Sequence, residues 1–486
     1  GRHRPGLGTI RSPFSGLRET VSSSFHRAMN PHHSSRQKKH SMKKPSANRR
    51  DFLKTSALAA AATSVPYFPW STPAFANDEA NSRPRIGCIG VGSMGTGDAR
   101  QHANFGDVLA VCDVDSKHAD RAKNHDGIGK GKADAYGDYR KVLERDDIDV
   151  VSVVTPDHWH VKIAIEALQA GKHVFCQKPL TLTLEENKLI RNACRKYSDQ
   201  AFLVGTQQRS TKDKFLRAVN MVQKGLLGDI RKVTVGINGS PKGGPFPVAE
   251  VPENLNWDMW QGQVQPVDYR EKRCHYQFRW WYEYSGGKFT DWGAHHVDIA
   301  MWALNKNGEG QGPVEIDGTD VKHPVEYKDG HAVVDDSYNT SHDFSVINTF
   351  DDGIVMDVTS RGDNGITFEG TKGRIFVNRG KIVGTPINEN WDKDQFDQED
   401  LERLYKGKPA EGHKNNFYRC IAEGGLTVSD VFSHVQAMSA CHLSAIAGRL
   451  GRKIKWDPKT EQIIGDEQAA SFIARERREG FDIPRV

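Results

Sequence analysis

Three groups of residues have the types and spacing that chemistry requires. The first is the glycine turn Gly90-Val91-Gly92-Ser93-Met94-Gly95, fed by an apolar run from Ile86 to Val91. Gly90 permits a tight turn, and Gly92 lets a backbone N–H approach a pyrophosphate. Gly95 lets the following helix lie close, so that its positive N-terminal end faces the phosphates. A second apolar run, Val108 to Cys112, stops at Asp113, 18 residues beyond Gly95. A carboxylate there can accept hydrogen bonds from a ribose diol, and it repels a 2′-phosphate, which favours NAD over NADP.

The second group is Lys178, within Gln177-Lys178-Pro179 at the end of an apolar run, His173 to Cys176. A lysine there could hydrogen-bond a substrate hydroxyl and, if partly desolvated, help remove its proton. A surface lysine in a connecting loop would have the same surroundings in sequence.

The third group lies between Arg279 and Asp298, in RWWYEYSGGKFTDWGAHHVD. Residues Thr290 to Leu304 read as a helix, which places Asp291, His295 and Asp298 at spacings that share a face. A carboxylate beside an imidazole can fix its tautomer for acid/base work. The same pattern also fits a capped amphipathic helix whose His and Asp satisfy each other. His296 points elsewhere and reads as structural. Arg279, Trp281 and Tyr284 are candidate sugar-facing groups, since aromatic faces stack on pyranose C–H surfaces; core packing explains any one of them equally well. His158-x-His160 and His295-His296 lack the spacing of a dedicated zinc site, so no metal is expected.

The elements that must position these groups can be read from periodicity. Ile148 to Val154 is a strand buried on both faces, as parallel strands are, and it delivers Thr155-Pro156-Asp157-His158 to a carboxyl edge. Strands alternate with helical patterns from Val161 to Ala170 and from Leu184 to Tyr197, which implies a parallel sheet. From Gly225 onward the runs alternate in the manner of a mostly antiparallel sheet: 230–237, 337–350, 353–360, 365–368 and 374–377. Helices are expected over 413–421 and 431–449, an exposed acidic loop over 384–409, and a basic tail from Gly451. The expected fold is therefore an α/β Rossmann domain over 83–206, then an α+β domain over 207–486 with a large, mostly antiparallel open sheet.

Of the 486 residues, 37% are hydrophobic and 27% charged, and ten are tryptophan, a globular composition. The net charge of +5 belongs to the amino end. Residues 1–76 hold 13 Lys/Arg against two acids, Glu19 and Asp51, which leaves 54 basic against 60 acidic residues elsewhere. Nothing in the remainder is built for nucleic acid. The amino end is a leader: Arg49-Arg50 in a twin-arginine sequence, a modest apolar run from Thr55 to Tyr67, and Ala74-Phe75-Ala76 as a small-x-small cleavage pattern. Met42-Lys43-Lys44 would open an ordinary signal peptide. The apolar run is too short and alanine-rich to span a bilayer, so an exported protein without stable membrane insertion is expected. Twin-arginine transport carries folded proteins, so a cofactor made in the cytoplasm would travel tightly bound. The seven cysteines are scattered without CxxC, and no disulfide framework is visible.

GVGSMG after the first strand, CDVD ending the second, TPDHWH, QKP and SGGKFTDWGAHHVD together resemble the Gfo/Idh/MocA family (glucose-fructose oxidoreductase and inositol dehydrogenase). The resemblance implies Lys178, Asp291 and His295 as a catalytic trio. It places Gly90, Gly92, Ser93, Met94, Gly95 and Asp113 on the dinucleotide, with Thr155, Pro156, His158 and Lys178 near its nicotinamide end. It also implies a homo-oligomer, dimer or tetramer, formed through the open sheet. Gln177 departs from the family's usual glutamate, which could alter the electrostatics around Lys178. The expected function is NAD-dependent oxidation of a hydroxyl on a sugar, polyol or glycoside. Redox-assisted glycoside cleavage with recycled cofactor, or sugar binding without turnover, are the alternatives.

Overall fold

A computed structural model describes residues 83–389 and 396–486. The leader and its twin-arginine sequence lie outside the described residues. The first sheet has six strands: β1 (Arg85–Ile89), β2 (Asp107–Cys112), β3 (Asp134–Tyr136), β4 (Val150–Val153), β5 (His173–Cys176) and β6 (Phe202–Val204). All are parallel, in the order β3-β2-β1-β4-β5-β6. The order reverses between β1 and β4, so their carboxyl ends lead to connections on opposite sides and leave a crevice between them. The glycine turn occupies that crevice. Gly90 has φ +79°, and a Cβ on it would lie 2.5 Å from the Val154 carbonyl oxygen. A Cβ on Gly95 would lie 1.8 Å from the Gly90 carbonyl oxygen, so the helix Ser93–His102 can seat on the strand only with glycine there.

The second sheet is built from β7 (Ile230–Gly236), β8 (Pro313–Lys322), β11 (Asp343–Phe350), β12 (Val355–Thr359), β13 (Gly365–Gly370), β14 (Arg374–Val377), β15 (Ile382–Thr385), β16 (Lys453–Asp457) and β17 (Gln462–Ile464). Strands β9 (Tyr327–Lys328) and β10 (His331–Ala332) form a separate hairpin. The nine strands run β15-β14-β13-β7-β12-β11-β8-β16-β17, antiparallel throughout except for the parallel pair β7/β12. One face is core: along β11, Phe344, Val346, Asn348 and Phe350 are buried while the alternate residues are half-buried. This is the expected architecture, a parallel nucleotide-type sheet followed by a mixed, mostly antiparallel one.

The helix Val431–Leu450 joins the two halves. Asp430 caps its start by accepting from the Ser433 N–H, and Gly451 closes it in the left-handed conformation. It packs on β8 and on the helices Leu184–Lys196 and Gly293–Ala303. Asn187 donates to Val435 O (3.2 Å) and Ser439 Oγ (3.0 Å), and His442 Nε2 meets Thr181 Oγ1 at 2.9 Å. Within the second half the same helix is fixed by a buried ionic contact. Arg209 donates to both oxygens of Asp298 (2.6 and 2.7 Å), and His434 Nδ1 lies 3.0 Å from the same carboxylate.

Four elements differ from the sequence reading. The helix expected over 290–304 is broken at Trp292 into Lys288–Asp291 and Gly293–Ala303. The segment expected to be an irregular loop holds a helix, Gln398–Leu404, capped by Asp397. The basic tail is β16, whose Ile454 and Trp456 point inward between lysines. β8 was not anticipated, because its charged residues and Gly318 mask a two-residue period that a register shift further interrupts. Among the described residues, no helix is long and apolar enough to cross a membrane.

Removing one partner of a buried pair strands the other charge, so Asp298→Asn should cost about 3–5 kcal/mol of unfolding free energy. Urea unfolding checks this, and a midpoint equal to that of the unaltered protein would show that the pair contributes nothing to stability.

Candidate active site

Lys178 hangs from the carboxyl end of β5. Its Nζ donates to Asp291 twice, to Oδ1 and to the main-chain oxygen, both at 2.9 Å. That carbonyl is free to accept because the helix breaks there: the N–H groups of His295 and His296 both turn to Trp292 O. Arg279 Nη1 reaches both carboxylate oxygens of Asp291 (3.2 and 3.3 Å), and Lys288 Nζ lies 3.6 Å away. Burial alone would raise the Asp291 pKa. The cations Lys178, Arg279 and Lys288 more than offset it and hold the carboxyl well below the usual range.

A cleft of about 690 Å³ runs from the glycine turn to this cluster. Its wall includes Gly90, Gly92, Ser93, Met94, Gly95 and Asp113 at one end, and Thr155, Pro156, Lys178, Arg279 and Asp291 at the other. The helix Ser93–His102 has no side-chain cap, so the N–H groups of its first turn open into the cleft. Asp113 accepts from Val91 N–H at 2.9 Å, at the foot of the turn, and His118 Nδ1 lies 3.4 Å from it. That hydrogen bond, against the cost of burial, raises the His118 pKa. Asp115 lies between His118 and His275 and is the potential ligand-bearing acid of a three-residue cluster whose polar atoms fall within 4.8 Å of one another. Sequence spacing could not show this cluster, since His275 arrives from a segment that crosses the cleft mouth.

Several expected site residues are placed differently. His295 is 4% exposed, does not line the cleft, and makes no hydrogen bond to Asp291. The helix break turns the Asp291 carboxylate toward the three cations instead. Burial, reinforced by the Lys178 and Arg379 charges, holds His295 well below its ordinary pKa, and its Nδ1 has no partner. Asp298, also expected on the His295 face, is committed to Arg209. Trp281 and Tyr284 are fully buried; Trp281 donates to Lys272 O and lies under Arg273, so neither offers a face to substrate. His158 is buried behind the wall against Trp260 O (2.9 Å). His160 meets Pro179 O and Thr155 O (2.7 and 2.8 Å), so both histidines of that pair are spent on main-chain carbonyls.

Two residues were missed. Asp157 lines the cleft and accepts from Ser285 Oγ at 2.5 Å. Burial pushes its carboxyl up to about 7, against the opposing pull of that bond and of Lys178. Asp98 explains Gln177. The Gln177 amide donates to Asp98 Oδ2 (2.9 Å) and its oxygen accepts from Lys178 N (3.0 Å), while Lys414 salt-bridges the other Asp98 oxygen. A buried carboxylate is therefore supplied from the first helix, and the neutral amide beside it avoids a like-charge contact.

Two family models match the chain. One, described as an oxidoreductase family NAD-binding Rossmann fold, covers residues 84–206, and one described as an oxidoreductase family C-terminal alpha/beta domain covers 216–483. The chain belongs to the Gfo/Idh/MocA oxidoreductase family. A twin-arginine translocation signal model also matches residues 46–66, which supports export by that route. Among curated relatives of this family member, a glycosyl hydrolase family 109 protein of Shewanella pealeana is 31% identical over 206 residues, 38% of this chain and 44% of its own. An alpha-N-acetylgalactosaminidase of Shewanella oneidensis is 33% identical over 153 residues, 30% of this chain and 33% of its own. The chain thus spans less than half the length of these relatives. A WlbA dehydrogenase from Chromobacterium violaceum, solved with NADH and UDP-GlcNAcA, shares the fold with TM-score 0.54 at 17% identity, covering 77% of this chain and 96% of that one. The cofactor of this family member is NAD. The open glycine cradle, the uncapped helix start and the Asp113 carboxylate fit its pyrophosphate and ribose.

Gln177→Glu would set a second carboxylate against Asp98. One of the two carboxyls would then ionise with a raised pKa in the folded state, against about 4.3 for an unfolded glutamate. Stability is lost as pH rises above that unfolded value, because the unfolded chain ionises first. Thermal melts should show a larger deficit at pH 8 than at pH 5; an equal deficit at both would contradict this account of Gln177.

Proposed function

We propose that this chain is an exported enzyme that oxidises a hydroxyl of a carbohydrate with tightly held NAD. In this reading residues 83–206 hold the cofactor, and residues 207–486 supply the substrate surface and a homo-oligomer contact through the outer face of the second sheet. The periplasm is its place of work. The observation that carries the proposal is that Lys178, Asp291 and Arg279 meet on the wall of the same cleft as the glycine turn.

When bound there, NAD supplies a hydride acceptor at its nicotinamide end. The chain's own residues handle charge and proton. Lys178, held in place by Asp291, offers its remaining N–H to the substrate oxygen and stabilises the negative charge that develops on it. Asp291 binds protons too weakly to take this one, so it positions Lys178. His295 lies behind the cleft wall, near enough for the Lys178 charge to act on it, and in this reading it receives the proton through Lys178 rather than from the substrate directly. Arg279 orients neighbouring hydroxyls.

A second reading is glycoside cleavage, favoured by Asp157. Transient oxidation of a ring hydroxyl by bound NAD would acidify the neighbouring C–H, so that elimination would break the glycosidic bond; addition of water and return of the hydride would then leave no net redox change. The buried Asp157 carboxyl can give a proton to the departing oxygen. The names of the Shewanella relatives support this reading.

Lys178→Met should lower turnover of sugar or aryl glycoside by roughly 100- to 10,000-fold, the usual weight of one acid/base group. Undiminished turnover would remove Lys178 from the catalytic machinery, whereas sugar binding with no turnover in the unaltered protein would favour a sugar-binding protein without catalysis. If Asp157 is the proton donor, aryl-glycoside cleavage should fall as pH rises through about 7, where its carboxyl ionises. Asp157→Asn should abolish that limb of the profile. Accumulation of reduced nicotinamide on adding free sugar, with no glycoside cleavage, would instead select plain dehydrogenation.

A further inference from the structure

We infer that the protein carries a second ligand site, for a sugar-sized organic oxyanion, held by Arg449 and Arg475 in a cleft under the β9–β10 hairpin. The cleft has a volume of about 830 Å³ and shares no wall residue with the cofactor cleft. Its walls are the hairpin, the carboxyl end of the helix Val431–Leu450 and the segment 471–477.

The two guanidiniums define it. Arg449 Nε donates to Gly330 O (2.8 Å), and its plane lies 4.4 Å from the Phe472 ring centre and 5.0 Å from that of Tyr282. Arg475 Nη1 donates to Glu283 O at 3.0 Å. Among the described residues neither has a carboxylate partner, unlike Arg477 beside them, which pairs with Glu185 at 2.8 Å. Their remaining N–H groups are not sealed in protein but open to the cleft. Burial, then the Arg449 charge, presses Arg475 down to about 10, and the nearby Glu186 and Glu283 offset this only in part.

Of the acids on the same wall, Asp335 and Glu476 are exposed to solvent and Asp336 accepts from Ser337 Oγ at 2.9 Å, while the two nearest the guanidiniums are hydrogen-bonded. Glu186 Oε2 accepts from Leu182 N–H, and burial pushes its carboxyl up to about 7; Glu283 Oε2 accepts from Asn339. Two unpaired guanidinium forks in one cleft match a carboxylate or a phosphate, which each can bind through paired N–H donors. The apolar rim formed by Val333 and Val334, 49% and 41% exposed, together with Tyr282 and Phe472, suits the body of a pyranose. The ligand class is therefore an acidic sugar, with the charge on a carboxylate or a phosphate.

Calorimetric titration of the NAD-loaded protein with galacturonate and, separately, with galactose 1-phosphate tests this. At least one should bind, and the one that binds more tightly names the anion. Arg475→Gln should weaken that binding at least tenfold while leaving NAD content and turnover unchanged, and Arg475→Lys should retain part of it. No binding of either probe overturns the inference. So does equal affinity in Arg475→Gln, which would place the ligand elsewhere.

Discussion

The ion pair between Lys178 and Asp291 is the contact on which the rest of the arrangement depends. One partner hangs from the edge of a parallel sheet, and the other sits on a broken helix that belongs to the second half of the chain. Their side chains are 14% and 6% exposed, so neither charge is solvated well enough to stand alone. A pair of this kind stabilises only if its geometry is held. The long helix Val431–Leu450 does the holding, because it packs on β8 and on the helix Leu184–Lys196, and the buried Arg209–Asp298 bridge fixes it through His434.

The same economy of charge runs through the cleft. Asp291 answers three cations, and Asp98 answers Lys414 while receiving an amide proton from Gln177. The substitution of glutamine for the family's usual glutamate therefore need not empty the site of negative charge. It moves the carboxylate one layer back and leaves Lys178 with a neutral neighbour along the chain. Asp157, raised by burial on the same wall, gives the cleft a second carboxyl of opposite character to Asp291. Environment separates the two: cations surround one, while apolar packing and a single hydroxyl surround the other.

Much of this was legible in the sequence. Gly90 and Gly95 can be read because the turn has a local rule, and the rule is steric: a Cβ at either position strikes main chain. Parallel strands such as β4 can be read because burial on both faces leaves a nearly continuous apolar run, interrupted in β4 only by Ser152. Lys178 and Asp291 were recognisable as reactive types at strand and helix ends, but their meeting is tertiary. The break at Trp292 left no mark that periodicity could detect, because Asp291 gives its carbonyl to a lysine 113 positions away. For the same reason the spacing of Asp291 and His295 does not translate into a hydrogen bond between them. Trp281 and Tyr284 look alike as core and as cleft residues, since aromatic side chains serve both. Asp157, Asp98 and the Arg449/Arg475 pair depend on segments brought together from distant parts of the chain, and no spacing rule reaches them.

The central claim is that Lys178 and Asp291 act as one unit in turnover. A double-mutant cycle tests it most directly, with turnover of the NAD-loaded enzyme measured for Lys178→Met, Asp291→Asn and the two combined. Coupled residues typically depart from additivity by about 0.5–3 kcal/mol, and the account predicts a double variant scarcely worse than the more damaged single one. Losses that simply add, within the roughly 0.3–0.5 kcal/mol expected of independent sites, would contradict it.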